Sequence, residues 1–213
     1  MGIRSARLTA LPLVLTIGLF ATSCGGVGGS PDGAVSGIAP TTAASAPSGI
    51  VSLSATATEI LFAIGAGDQV VAVDDQSTYP EEAPTSALSG FTPNVEAIAN
   101  YDPDLVVISY DPGDLVVGLE ALGIDVLMQG AASAIDDTYS QIAELGDLTG
   151  HSDEAAALNA EIVAGLESLA EGHPGAGMTY FHEVDSTLYS ATSSTFLGQL
   201  YALLGLENIA DPA

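Results

Sequence analysis

Residues 49–73 read GIVSLSATATEILFAIGAGDQVVAV, and their order of elements decides the fold class. Ile50-Val-Ser-Leu has the apolar, β-branched character of a short strand. From Thr56 to Ile64 the spacing changes, with Ile60, Leu61 and Ile64 recurring at helical intervals. Gly65-Ala66-Gly67 stops that helix, and Val70-Val-Ala-Val is a second strand. A strand, a helix and a strand within 25 residues form a βαβ unit, whose strands run parallel.

The same alternation continues downstream. Glu81 to Thr92 reads as a loop, flanked by Pro80 and containing Pro84. Asn94 to Asn100 reads as a short helix, and Leu105 to Ser109 (LVVIS) as a strand buried on both faces. Asp114 to Leu122 is predicted helical, ending at Gly123. Val126 to Gln129 is predicted as a strand and Ile135 to Leu148 as a helix. The longest predicted helix follows Ser152, a candidate N-cap, with Asp153 and Glu154 in its first turn where the helix dipole favours negative charge. Leu158, Ile162, Leu166 and Leu169 make one apolar stripe along it, and Gly172 and Pro174 end it. Met178 to Glu183 and Leu188 to Ala191 read as strands, and Thr195 to Leu204 as a helix. The fold class is therefore α/β. The expected domains are an N-terminal parallel-sheet lobe (49–150), a bridging helix (151–173) and a partial C-terminal lobe (174–213). That last lobe has too few elements to close a sheet, so a fragment of a longer chain is expected.

Working back from residue 49, the tract 25–48 is Gly, Ser, Ala, Thr and Pro without hydrophobic period, a flexible tether. Residues 1–23 read as an export signal. Arg4 and Arg7 supply its positive end, and Leu8 to Phe20 is an apolar run of 13 residues, short of the roughly 20 that a spanning helix needs. Small residues then precede Cys24. The arrangement resembles a bacterial lipoprotein signal, although Ala21 stands where Leu is usual. Cys24 is the one cysteine, so an intramolecular disulfide is impossible and lipidation is the expected role. Lipid chains would hold the protein at the outer face of the cytoplasmic membrane, as no later segment is apolar enough to span it.

Charge excludes several functions. The chain of 213 residues has 27 acids and 2 basic residues, a formal net charge of −25. Both basic residues lie in the signal, so after cleavage the formal charge is −27. Nucleic acid and anionic lipid surfaces both need Lys or Arg, and the folded part has none. Disorder is excluded as well, because 47% of the residues are hydrophobic.

Several stretches in this order resemble the ABC-importer solute-binding proteins that carry vitamin B12, ferric siderophores and haem. Ile50 to Asp68 resembles the family's opening strand and helix, with Ala55 where Pro is usual. Val70-Val-Ala-Val followed by Tyr79-Pro80 resembles its second strand and loop. Asn94-Val-Glu-Ala-Ile-Ala followed by Asp102-Pro-Asp-Leu-Val-Val resembles its E-x-I and P-D-L-V segment. Gly123-Ile and Leu148-Thr-Gly-His151 also fit. The resemblance covers about residues 49–211.

It implies two α/β lobes joined by one long helix, with a ligand held between them. Thr56, Gln76, Phe91, Tyr110 and Asp111 are the candidate ligand contacts of the first lobe, since open α/β sheets bind at the carboxyl ends of their strands. Phe91 and Tyr110 suit a flat apolar surface, and Gln76 and Thr56 its polar edge. His182, Glu183 and Tyr189 are candidates of the second lobe. His182 and Glu183 face opposite sides of a strand, so at most one points at the cleft. His151 and His173 read as surface caps. The resemblance further implies that Glu96 docks against arginines of a permease, which works with an ATPase. The ligand would be cobalamin, a ferric siderophore or haem, with the lack of arginine favouring a neutral or cationic molecule. A monomer without catalytic residues, resident cofactor or metal is expected. Alternative readings are a metal binder, a structural surface protein, or a hydrolase. For the last, the chain has neither a G-x-S-x-G elbow nor a Walker A motif.

Overall fold

The computed structural model describes residues 45–211. The predicted signal, Cys24 and the tether up to residue 44 lie outside the described residues. Four strands form one sheet: β1 (Ile50–Leu53), β2 (Val70–Val73), β3 (Leu105–Ile108) and β4 (Asp125–Met128). Their spatial order is β2-β1-β3-β4, and every neighbouring pair is parallel.

Helices cover both faces. On one lie α1 (Ala55–Ala63), α4 (Ile135–Thr149) and the start of α5 (Ser152–Ala170). On the other lie α2 (Val95–Ala99) and α3 (Leu115–Glu120). The side chains of β3 divide accordingly. Leu105 and Val107 pack with Ile60, Leu61, Ile142 and Leu145, while Val106 and Ile108 pack with Ile98, Leu115 and Leu119. Successive strand residues point to opposite faces, so a strand covered on both must be apolar throughout. All four β3 residues are buried. Edge strand β4 is half-exposed, and Asp125 stands at its start, an arrangement that discourages edge pairing.

Local chemistry ends each helix. Ser54 and Asn94 cap α1 and α2 through backbone N–H groups of Ala57 and Ala97. Gly150 takes the left-handed conformation (φ 79°) that closes α4. Gly146 lies where α4 meets α5, and Ala155 leaves no room there for a side chain.

Three details differ from the sequence expectations. Ser152 is the first residue of α5 rather than its cap. His151 holds the cap position without a side-chain cap, and Ser152 Oγ instead donates to Asp147. The apolar stripe of α5 is buried only in part: Leu158 and Ile162 pack on the core, whereas Leu169 is 66% exposed. The two predicted strands 178–183 and 188–191 form instead a two-residue strand, β5 (Thr179–Tyr180), and a hairpin. Glu183 bridges Ser190 across that hairpin, and Leu188 sits in its turn at φ 66°. After α6 (Phe196–Leu203) a short β6 (Glu207–Asn208) pairs parallel to β5. Among the described residues no helix is long and apolar enough to cross a membrane.

Candidate ligand cleft

The strand order reverses at β1. From β1 the chain steps outward to β2, then returns past β1 to β3 and β4. Loops leaving β1 and β3 therefore diverge to opposite faces and open a crevice at the carboxyl ends of the strands, the usual ligand position in open α/β sheets. A cavity of about 450 Å³ occupies that place. Ser54, Thr56 and Ala57 line it from the end of β1, Ser109 from the end of β3, and Gln129 to Ala132 from the end of β4. Thr138 and Gln141 of α4 form a further wall, and Phe196, the first residue of α6, closes it from the second segment. No lining side chain is ionisable.

The bottom of the crevice is held by buried hydrogen bonds. Thr58 Oγ1 donates to Ser52 Oγ at 2.9 Å and lies 2.9 Å from Ser77 Oγ, which donates to Asp74 Oδ1 at 2.6 Å. Ser52 Oγ donates to the Ser54 carbonyl. Polar side chains survive in a core when they are partnered, and each of these is.

The predicted ligand contacts divide into three groups. Thr56 lines the cavity. Gln76, Phe91, Tyr110 and Asp111 stand exposed on loops leaving the same ends of the strands, outside its lining. Phe91 is 64% exposed, and the adjacent Gly90 rests against the Leu53 carbonyl at the end of β1. Asp111 accepts from the Val116 N–H and so serves α3. In the second segment, His182 Nδ1 is 2.9 Å from the Tyr201 hydroxyl, while Glu183 and Tyr189 are exposed on the hairpin. Glu96 is exposed in the first turn of α2. His151 is half-buried, its Nδ1 3.0 Å from the Thr149 carbonyl, and His173 is exposed at φ 47°.

Gln129, Thr138, Gln141 and Phe196 were not anticipated. Gln129 ends a predicted strand, so the rule that picked the other loops also selects it. Phe196 carries no such signal, because only tertiary packing brings α6 to the first lobe. A larger cavity, about 910 Å³, opens beside β4 and is lined by Asp104, Glu120, Asp125, Glu144 and Asp147. Its carboxylates repel one another, and among the described residues no cluster of His, Cys, Asp or Glu is arranged to hold a metal ion.

Known proteins resemble this chain closely enough to place it. It is 33% identical over 175 residues to a cobalamin-binding protein of Halobacterium salinarum, across 78% of this chain and 47% of that one. It is 29% identical over 175 residues to an uncharacterised ABC transporter substrate-binding lipoprotein of Bacillus subtilis, across 77% of this chain and 56% of that one. The chain thus spans about half the length of these curated relatives. A crystal structure from Staphylococcus epidermidis, described as a possible iron-binding (periplasmic solute-binding) protein, superposes with a TM-score of 0.67 at 25% identity, covering 76% of this chain and 67% of that one. These names are those of binding proteins, not enzymes. The periplasmic binding protein family model matches residues 50–213, and the chain belongs to that family.

Proposed function

We propose that the protein captures a cobalamin-type ligand outside the cytoplasm and delivers it to the permease of an ABC importer. The observation that carries this reading is the uncharged crevice at the strand ends, walled by the first lobe and closed by Phe196. Binding sites of this kind are concave and mostly apolar, with a few directed polar groups. The names of the relatives support both the ligand class and the transporter. The 213 residues carry no Lys or Arg beyond Arg7, so this part of the site supplies no arginine or lysine for haem propionates or an anionic siderophore, which favours the neutral corrin.

In this reading Thr56 contacts the ligand within the cavity. Gln76, Phe91, Tyr110 and Asp111 extend the contact along the rim, with His182 and Tyr189 on the opposite segment. Glu96, exposed on α2, docks to arginines of the permease, which itself pairs with an ATPase. Cys24 carries the lipid that keeps the protein at the membrane.

Isothermal titration of the full chain with cyanocobalamin, hemin and a ferric siderophore tests the reading. Binding of cyanocobalamin alone is expected; tight binding of the siderophore without cyanocobalamin would refute it.

A further inference from the structure

Two glutamines of the crevice are fixed in one orientation. Gln129 Nε2 donates to Glu144 Oε2 at 2.8 Å and to the Gln141 carbonyl at 3.1 Å. Both partners can only accept, so turning the amide over would set Oε1 against two acceptors. Both N–H groups of Gln129 are consumed, and its Oε1 accepts no hydrogen bond from the described residues. Gln141 Nε2 donates to the Gly130 carbonyl at 2.7 Å, which orients its Oε1 in the same way and leaves one N–H. The remaining polar side chains of the lining are the hydroxyls of Ser54, Thr56, Ser109 and Thr138. Ser54 Oγ already accepts from Ala57, and a hydroxyl can turn to donate or accept.

The backbone donors that would attract an anion at the start of α4 are occupied. Beside the lining residues Ala131 and Ala132, the N–H groups of Ser133 and Ala134 both donate to Asp137 Oδ2 at 2.9 Å. The start of α4, otherwise an attractive place for a carboxylate, already holds one. Glu144 adds a further negative charge behind Gln129.

The geometry points to Gln129 and Gln141 as selectivity residues that read N–H donors on the ligand, with Glu144 as the positioning residue that aims the Gln129 carbonyl. The ligand class is neutral and rich in primary amides, and ligands with carboxylates at the same points are rejected. This rests on the capture reading above and names the groups by which that site chooses.

A matched pair of corrins tests it: dicyanocobinamide, whose side chains end in amides, and dicyanocobyrinic acid, whose side chains end in carboxylates. Affinities for both are measured by calorimetry on the full chain and on three variants. In Glu144→Gln the new amide can donate to Gln129 and release its orientation. Gln129→Leu removes the acceptor. Glu161→Gln removes one charge from an exposed position of α5 and serves as the charge control. The unaltered chain is expected to prefer the amide. Both site variants should bind the amide about tenfold more weakly, the loss of one directed hydrogen bond, and the preference over the acid should narrow. Glu161→Gln should change neither. Equal weakening of both corrins in Glu144→Gln, or an unchanged ratio in Gln129→Leu, would show a structural role only and overturn the assignment. If the unaltered chain binds neither corrin, the capture reading fails and the assignment falls with it.

Discussion

The hydroxyl of Ser77 donates a 2.6 Å hydrogen bond to Asp74 Oδ1, and Asp74 is only 5% exposed. The Ser77 N–H donates to the same oxygen at 3.0 Å. A carboxylate beneath the crevice thus depends on one neighbouring residue for two donors. Ser77→Ala removes the hydroxyl and leaves the backbone donor. A loss of about 1–3 kcal/mol in urea unfolding is expected, the usual cost of an under-satisfied buried polar group. An unchanged midpoint would mean that water replaces the hydroxyl without cost.

Gly90 supplies a second test of the same region. A Cβ built there would lie 2.5 Å from Asp74 Oδ2 and 2.9 Å from the Leu53 carbonyl oxygen. The carbonyl belongs to the end of β1 and cannot rotate aside. Gly90→Ala is expected to cost about 1–3 kcal/mol through overpacking. It should also displace Phe91 and weaken ligand binding, whereas Gly165→Ala, with nothing within 4 Å of its Cβ, should leave binding unchanged.

Acid sensitivity has a definite sign at Asp104. The Ser48 hydroxyl, then the Ser48 N–H and the Gly49 N–H, all donate to its carboxylate and hold its pKa below the ordinary 3.8. A carboxylate with a depressed folded pKa stabilises fully above its unfolded value and loses that contribution as pH falls through the folded one. Thermal unfolding between pH 5 and pH 2 should therefore fall less steeply in Asp104→Asn than in the unaltered protein, with the curves converging at the acid end.

Net charge predicts a response to salt. With 27 acids and 2 basic residues, repulsion opposes the compact state and is screened by added ions. The Tm is expected to rise steadily from low to molar sodium chloride. A flat response would count against charge repulsion as a leading destabilising factor.

Export processing can be read with trypsin. Arg4 and Arg7 are the only sites in the chain. Protein cleaved before Cys24 should resist trypsin even in urea. Cys24→Ser should accumulate as a precursor that trypsin shortens at its amino end.

Much of the first lobe was legible because its signals are local. The apolar run Leu105–Ile108 identified a strand covered twice, Gly65-Ala66-Gly67 marked the end of α1, and Asn94 marked the start of α2. The second segment was less legible. Residues 178–191 have strand-like composition, yet only Thr179–Tyr180 and one bridge form, because a strand exists only where a partner offers its hydrogen bonds. Of the first-lobe ligand candidates, Thr56 reaches the cavity, while the rim residues stand beside it. Rules about strand ends choose loops, and the packing of those loops chooses side chains.

By itself the sequence determined the α/β class, the parallel sheet, the acidic character and the family to which the chain belongs. These follow from periodicity, composition and an ordered series of motifs, each readable within a few residues of chain. Only the tertiary structure decided the strand order β2-β1-β3-β4, the crevice where that order reverses, and the placement of Phe196 across from Thr56. It alone decided which atom of Gln129 is free, because that depends on Glu144, a residue on another element. Hydrogen-bond direction is a property of pairs, and the pairs that matter here are made by folding.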